Sequence, residues 1–349
     1  MWFEDLLGFA EADADADAVR ARLRVDGERL TSLANGRSLW CGRLETPPLA
    51  DLRRRAAAIG GGAAGARRGA ASSCEEVVAD VRELLADPAN AGALFQVASQ
   101  FNLLEMPNPD VTPEAGVDAY ERDPTQGPAC AVACGAGTIY RHYLAPIAGG
   151  VGQSAGRQID CLADIGAALG NHDGTLWTMR NGYALLTERG LADLGGRLGA
   201  ACEEELDALR GALRVGVQSG VEVTAGGVGH RLTQVFASAL PVAYGGGDPE
   251  RWAPFARLVL EAAYEATLLA ARLNAATTGN PRAFLTLLGG GVFGNEEAWI
   301  LAACERALDR GAAAGLEVRI VSFGRSHPAV RRLADRVAAS CGEREPPRA

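Results

Sequence analysis

The stretch Leu287-Leu288-Gly289-Gly290-Gly291-Val292-Phe293-Gly294-Asn295 decides the fold class. Before it, residues 283–288 form a short apolar run of strand length. After it, Asn295 opens a helical pattern to about Arg310. Four glycines within six residues at a strand exit let the backbone turn sharply and aim its N–H groups outward. The helix behind adds the positive end of its dipole. Three consecutive glycines carry a conformational entropy cost that a mere tight turn does not need. The loop therefore reads as a backbone cradle for a diphosphate, made by Gly289, Gly290, Gly291, Val292, Phe293, Gly294 and Asn295.

Composition agrees with a cradle that uses no lysine. All 34 basic residues of the 349-residue chain are Arg. This excludes a Walker-type phosphate loop, a Schiff-base mechanism and kinases of the usual kind. With 43 acidic residues the net charge is −9, which argues against nucleic acid as the main partner. Eight Cys contain no CxxC pair, and only four His are present, so zinc spacing is absent and no metal is expected. No apolar run is long enough to span a membrane. Met1-Trp2-Phe3 is followed at once by acids, unlike a signal peptide, so a cytoplasmic location is expected.

Outward from the glycine loop, the second half alternates strands and helices. Strands are expected over 215–224, 234–242, 283–288 and 316–323. Helices are expected over 248–273, 295–310 and 327–341. Such alternation means crossover units and a largely parallel sheet covered by helices, with ligands at the carboxyl ends of the strands. Leu94 to Ala98 reads as a further buried strand, and Thr125-Gln126-Gly127-Pro128 as a helix start. Residues 1–90 read as a helical extension, with 74–85 helical in pattern, 60–69 a low-complexity loop, and Arg53-Arg54-Arg55 and Arg67-Arg68 solvated. A domain over 91–341 would carry a helical insert at about 150–212.

The strand ending in GGGVFGN resembles the phosphate loop of macrodomains. Phe95-Gln-Val-Ala-Ser-Gln-Phe-Asn102 stands where those proteins have their first ligand loop. Further stretches in the same order narrow the likeness: Leu30 to Arg37, Asp123-Pro-Thr-Gln-Gly-Pro-Ala-Cys-Ala131, Gly152-Gln153 with Arg157-Gln158-Ile159, Asn181-Gly-Tyr183, and Leu232 to Tyr244. Together they are similar to the arginine-specific group of macrodomain-like ADP-ribosylhydrolases, over roughly residues 1–325.

The resemblance implies a macrodomain-like three-layer α/β fold around a mixed, largely parallel sheet. It also implies release of ADP-ribose from mono-ADP-ribosylated arginine on a protein, without cofactor or metal. Ubiquitin is a possible modified partner by resemblance alone. Asn102 and Ser99 would lie beside the distal ribose. Asp123, Thr125, Gln126, Gly127 and Gln153 would complete the pocket with the glycine loop, and Phe323 would touch the adenine or its ribose.

Cleavage at an anomeric carbon passes through an oxocarbenium-like state and asks for a carboxylate. Glu222 and Glu105 are the candidates, with Asp123 near them and Gln218 able to orient water. Structural roles for each acid stay open: helix cap, turn fixation, or the polar face of an edge strand. The resembled hydrolases cluster acids before the strand equivalent to Thr233-Gln-Val-Phe236, whereas 225–231 here contains none. On that difference rests the alternative, a non-catalytic ADP-ribose reader. A nucleotide-sugar site on the same fold is a third reading.

Overall fold

The computed structural model describes residues 1–61, 73–246 and 248–342. Seven strands build the central sheet: β1 (Arg43–Glu45), β2 (Ser73–Val78), β3 (Leu94–Ala98), β4 (Gly216–Glu222), β5 (Arg231–Ala237), β6 (Arg282–Leu285) and β7 (Glu317–Ser322). They lie in the order β1-β4-β5-β3-β6-β7-β2. The β1–β4 and β4–β5 pairs are antiparallel, and β5, β3, β6, β7 and β2 run parallel. The sheet is therefore mixed and largely parallel, as the alternation of strand and helix patterns implies.

Side chains on β5 show that helices cover both faces. Thr233 Oγ1 donates to Asn274 Oδ1 at 2.7 Å, on the helix Ala253–Thr278. Its neighbour Gln234 points the opposite way, and its Nε2 donates to the Cys130 carbonyl at 2.9 Å on another helix. Successive residues of a strand alternate faces, so these two bonds mark two helical layers. The helices that matter here are α1 (Leu49–Gly61), α2 (Gln126–Ala133), α3 (Glu203–Ala212), α4 (Ala253–Thr278) and α5 (Glu297–Asp309).

Four of these helices are joined by an arginine–carboxylate network. Arg53 on α1 donates to Glu265 on α4 at 2.6 Å and to Asp207 on α3 at 2.8 Å. Arg210 on α3 reaches Glu261 at 2.6 Å, and Arg306 on α5 reaches Glu265 at 3.3 Å. Charged pairs arranged this way fix helix packing where isolated surface pairs would add little. Arg53 is thus not part of a solvated face. Its neighbour Arg54 is, paired only with Asp51 one turn away.

Two parts of the N-terminal reading are corrected. Residues 1–90 are not a helical extension, because they supply β1 and β2 to the central sheet and form a three-stranded sheet of their own over Leu23–Asp26, Arg29–Ser32 and Ser38–Trp40. The 74–85 helix is instead β2 followed by a short helix, Val81–Ala86. Val77, Val78, Val81, Leu84 and Leu85 fall on a helical stripe by spacing alone. Pairing of residues 73–78 along β7 overrides that spacing. Most of 60–69, with Arg67-Arg68, lies outside the described residues. No helix among the described residues is long and apolar enough to cross a membrane.

Candidate functional site

A cleft opens at the carboxyl ends of β3, β5, β6 and β7, where loops leave a parallel sheet and backbone groups are free to meet a ligand. It has two lobes sharing Thr125, Gln126, Thr286 and Gly291. One lobe, about 420 Å³, lies toward β7 and is bounded by Phe95, Phe284, Val321 and Phe323. The other, about 300 Å³, runs from the glycine loop to Glu105 and Tyr183.

The wall between the lobes is backbone. In the loop after β6, Gly289 takes φ +76° and Gly294 φ +68°, the left-handed region that glycine tolerates. Asn295 pins this bend: its Nδ2 donates to the Leu240 carbonyl at 2.8 Å, and its amide donates to the Gly289 carbonyl at 2.9 Å. A Cβ on Gly289 would meet Ala239 Cβ at 2.4 Å. The amides of Gly291, Val292 and Phe293 have no acceptor within the described residues, and all three residues line the cleft.

Across from them begins α2, capped in backbone conformation by Thr125. Asp123 Oδ1 accepts from the Thr125 amide at 2.8 Å and from Thr125 Oγ1 at 2.6 Å, which holds the turn. Gln126 is spent on structure: its Oε1 accepts from the Ala98 amide at 2.9 Å and its Nε2 donates to the Gln96 carbonyl at 2.8 Å, extending β3 by a side chain. Gly127 lets the helix start sit against the strand, since a Cβ there would come within 2.2 Å of the Ala98 carbonyl oxygen and 2.4 Å of Glu105 Oε2. The first-turn amides of α2 are thereby held at the cleft, where a helix start favours anions.

Glu105 closes the far lobe. It is 7% exposed, lines the cavity, and its Oε1 has no hydrogen-bond partner among the described residues. Its backbone N–H donates to Tyr120 Oη at 3.0 Å. Burial pushes its carboxyl well above the ordinary range; the Arg141 charge opposes this and Asp123 adds to it. Burial thus favours the neutral form of the Glu105 carboxyl beside the cavity. An acid with a raised folded-state pKa contributes stability below its unfolded value, and this is lost as pH rises through the folded value. Glu105→Gln removes that loss. Its melting temperature should exceed that of the native protein by a few degrees at about pH 8 and match it at about pH 4. Equal melting curves at both values would contradict the buried-acid assignment.

Above Glu105 sit three aromatic rings. Tyr183 lies 5.2 Å from Tyr244 and 5.3 Å from Phe293, centroid to centroid. Tyr183 Oη donates to the Met106 carbonyl at 2.7 Å. The hairpin bearing Tyr183 is pressed onto the 100–102 loop at Gly182, where a Cβ would meet Asn102 Oδ1 at 2.5 Å. Sequence reasoning quoted Asn181-Gly-Tyr183 and the segment ending in Tyr244 as motifs but placed neither tyrosine in a site. Gln100 and Met106, also in this lobe, were missed too. Two pro-rich turns hid their position.

Of the residues expected from the sequence, the structure gathers Ser99, Glu105, Asp123, Thr125, Gln126, Gly127, Gly289, Gly291, Val292 and Phe293 on one lobe, and Phe323 on the other. Gly290, Gly294 and Asn295 shape the loop. Val292 and Phe323 are 63% and 77% exposed at the rim. Asn102, Gln153 and Gln218 are not brought into the cleft: all three are buried and hydrogen-bonded behind it.

Glu222 does not join them either. It pairs in register with Arg231 at the amino end of β5, and its Oε2 accepts from the Trp40 amide at 2.9 Å. The cleft lies at the other end of that seven-residue strand, about 20 Å away. The acid-free loop 225–231 is at the same remote end, so its composition says nothing about the cleft. Among the described residues no group of three or more His, Cys, Asp or Glu side chains is arranged to hold a metal ion.

The fold is α/β, and its cleft joins a glycine-rich loop, a helix start and one buried acid, Glu105. No family model matches the chain, and no curated protein matches it. Among solved structures it is similar to the poly(ADP-ribose) glycohydrolase of Thermomonospora curvata, at 15% identity and TM-score 0.44, over 93% of this chain and 95% of that one. It is also similar to the poly(ADP-ribose) glycohydrolase of Deinococcus radiodurans in complex with ADP-ribose, at 14% identity and TM-score 0.41, over 85% of this chain and 94% of that one.

Proposed function

We propose that the chain is a hydrolase acting on the glycosidic bond of ADP-ribose, and that it removes ADP-ribose from mono-ADP-ribosylated arginine side chains of proteins. The observation carrying this reading is the buried Glu105, its Oε1 without a hydrogen-bond partner among the described residues, at the end of a cleft lined midway by residues whose amides have no acceptor among them. The diphosphate would lie between the α2 start and the 289–295 loop. The adenosine would fill the lobe at Phe323, and the distal ribose the lobe at Glu105.

Glu105 would give its proton to the guanidine nitrogen as the bond from that nitrogen to the anomeric carbon breaks. The oxocarbenium-like sugar would be met by water, whose proton returns to the Glu105 carboxylate. Each turnover consumes one water, frees arginine and ADP-ribose, and restores the acid.

Arginine is favoured over an ester-linked acid for two reasons. The guanidine nitrogen bonded to the sugar must gain a proton as it departs as a guanidinium, whereas a carboxylate leaves unaided. The lobe also contains two carboxylic acids, Glu105 and Asp123, and no basic side chain, which suits a cationic departing group. Release of free ADP-ribose should be followed from arginine-modified and, separately, Asp/Glu-modified protein. Release from arginine alone is expected. Release only from the Asp/Glu-modified protein would remove the arginine assignment. Binding of ADP-ribose without release from either would make the chain a reader.

A further inference from the structure

Asn102, Gln153 and Gln218 lie behind the cleft; Gln218 bonds the Arg141 side chain, and Gln153 links the backbone carbonyls of Asn102 and Arg141. The Arg141 side chain is wholly buried, on the single π-helical turn Tyr140–Leu144. Its Nε donates to the Leu103 carbonyl at 2.6 Å and its Nη1 to Gln218 Oε1 at 2.9 Å. Gln218 is held in turn by the Cys41 carbonyl at 2.7 Å. Gln153 Nε2 bridges the carbonyls of Asn102 at 3.0 Å and Arg141 at 3.3 Å. The guanidinium also lies 3.7 Å from the centre of the Phe236 ring. Leu103, two residues before Glu105, has φ 65°. A leucine keeps that shape only where surrounding groups hold it.

We infer that Arg141 is a positioning residue for Glu105: through the Leu103 carbonyl it holds the 99–106 loop so that the carboxyl meets the cavity. From the same place its charge opposes the rise that burial imposes on that carboxyl. The inference deepens the proposed hydrolase reading and rests on it for its kinetic consequence. Its physical core does not. Arg141 makes no ion pair among the described residues, although a buried cation is costly to leave unmatched. The groups facing it are Tyr120, Cys134 and Glu105. Burial pushes the Cys134 thiol up to about 12 and the Tyr120 hydroxyl higher, so both stay neutral. Around Glu105 stand Arg141 and Asp123. Arg141 is the one cation in this set, and its removal leaves Glu105 opposed by burial and Asp123 alone.

The test is carboxyl NMR of ¹³C-glutamate-labelled protein, assigned with Glu105→Gln, in native, Arg141→Met, Arg141→Lys and Gln218→Glu forms. Gln218→Glu gives Arg141 a carboxylate partner that offsets its charge, at the cost of the bonds to the Cys41 and Gly137 carbonyls, and keeps the arginine, so it serves if Arg141→Met does not fold. The Glu105 midpoint should rise by about one pH unit in Arg141→Met and Gln218→Glu, and stay close to native in Arg141→Lys. For ADP-ribose release from arginine-modified protein, kcat should fall about tenfold to a hundredfold in the first two, with KM little changed and the alkaline limb of the pH profile displaced upward. A Glu105 midpoint unmoved in a folded Arg141→Met or Gln218→Glu protein overturns the inference. Absence of release from the native protein would remove the hydrolase reading instead, with the NMR midpoints still deciding the role of Arg141.

Discussion

Glu105→Gln should abolish ADP-ribose release while leaving ADP-ribose binding intact. The amide is nearly the size of the acid and fits the same space against Gly127, so the loop and the α2 start stay where they are. What disappears is the proton that the departing guanidine needs. General acid–base groups contribute about 10²–10⁴-fold, and kcat should fall by that range. Calorimetric titration with ADP-ribose should give the same affinity for both proteins. A kcat within about threefold of native would show that Glu105 is no catalytic acid, because even the smallest contribution of such a group exceeds that. The same substitution raises stability at alkaline pH, as argued above. Lost turnover with gained stability is what a site holding an uncompensated buried acid should show.

The second large effect is expected at Gly289. Valine there needs φ +76°, and its Cβ would meet Ala239 Cβ at 2.4 Å and Asn295 Nδ2 at 2.7 Å. A left-handed backbone costs a residue with a Cβ roughly 1–2 kcal/mol, and the displaced Asn295 would release its bonds to Leu240 and Gly289. The amides at 291–293, which have no acceptor among the described residues, would then shift with the loop. Affinity for ADP-ribose should fall at least about tenfold, which is about 1.4 kcal/mol, and the melting temperature should drop. Gly196→Ala is the control. It lies within the helix Glu188–Ala200 with nothing within 4 Å of an added Cβ. There alanine should raise stability by about 1 kcal/mol and leave binding unchanged. Undiminished affinity in Gly289→Val would mean that the glycine loop does not hold the diphosphate.

Much of the architecture is legible in the chain because it rests on local rules. Glycine loop, strand pattern and helix pattern in succession name a largely parallel sheet and its ligand-bearing end. The helix start at Thr125 announces itself through Pro128 and a run of small residues. Errors arise where a local pattern has two solutions. Residues 73–85 carry a stripe that suits a helix, yet 73–78 become an edge strand because β7 offers them a partner. Glu222 illustrates a different limit. Alternation correctly sets it apart from its neighbours, but alternation reports the face of a sheet and not its end, and Glu222 lies at the wrong end.

By itself, then, the sequence determined the α/β class, the backbone cradle at 289–295, the helix start at 125–127 and a shortlist of acids. All of these follow from spacing, glycine conformational freedom and the absence of lysine. Only the tertiary structure decided which acid meets the cavity, that Tyr183 and Tyr244 line it, and that Asn102, Gln153 and Gln218 are buried behind it, Gln218 bonded to Arg141. The reason is physical. The state of Glu105 depends on being buried without a partner near one cation, and that environment is assembled by segments far apart in the chain, which no local pattern records.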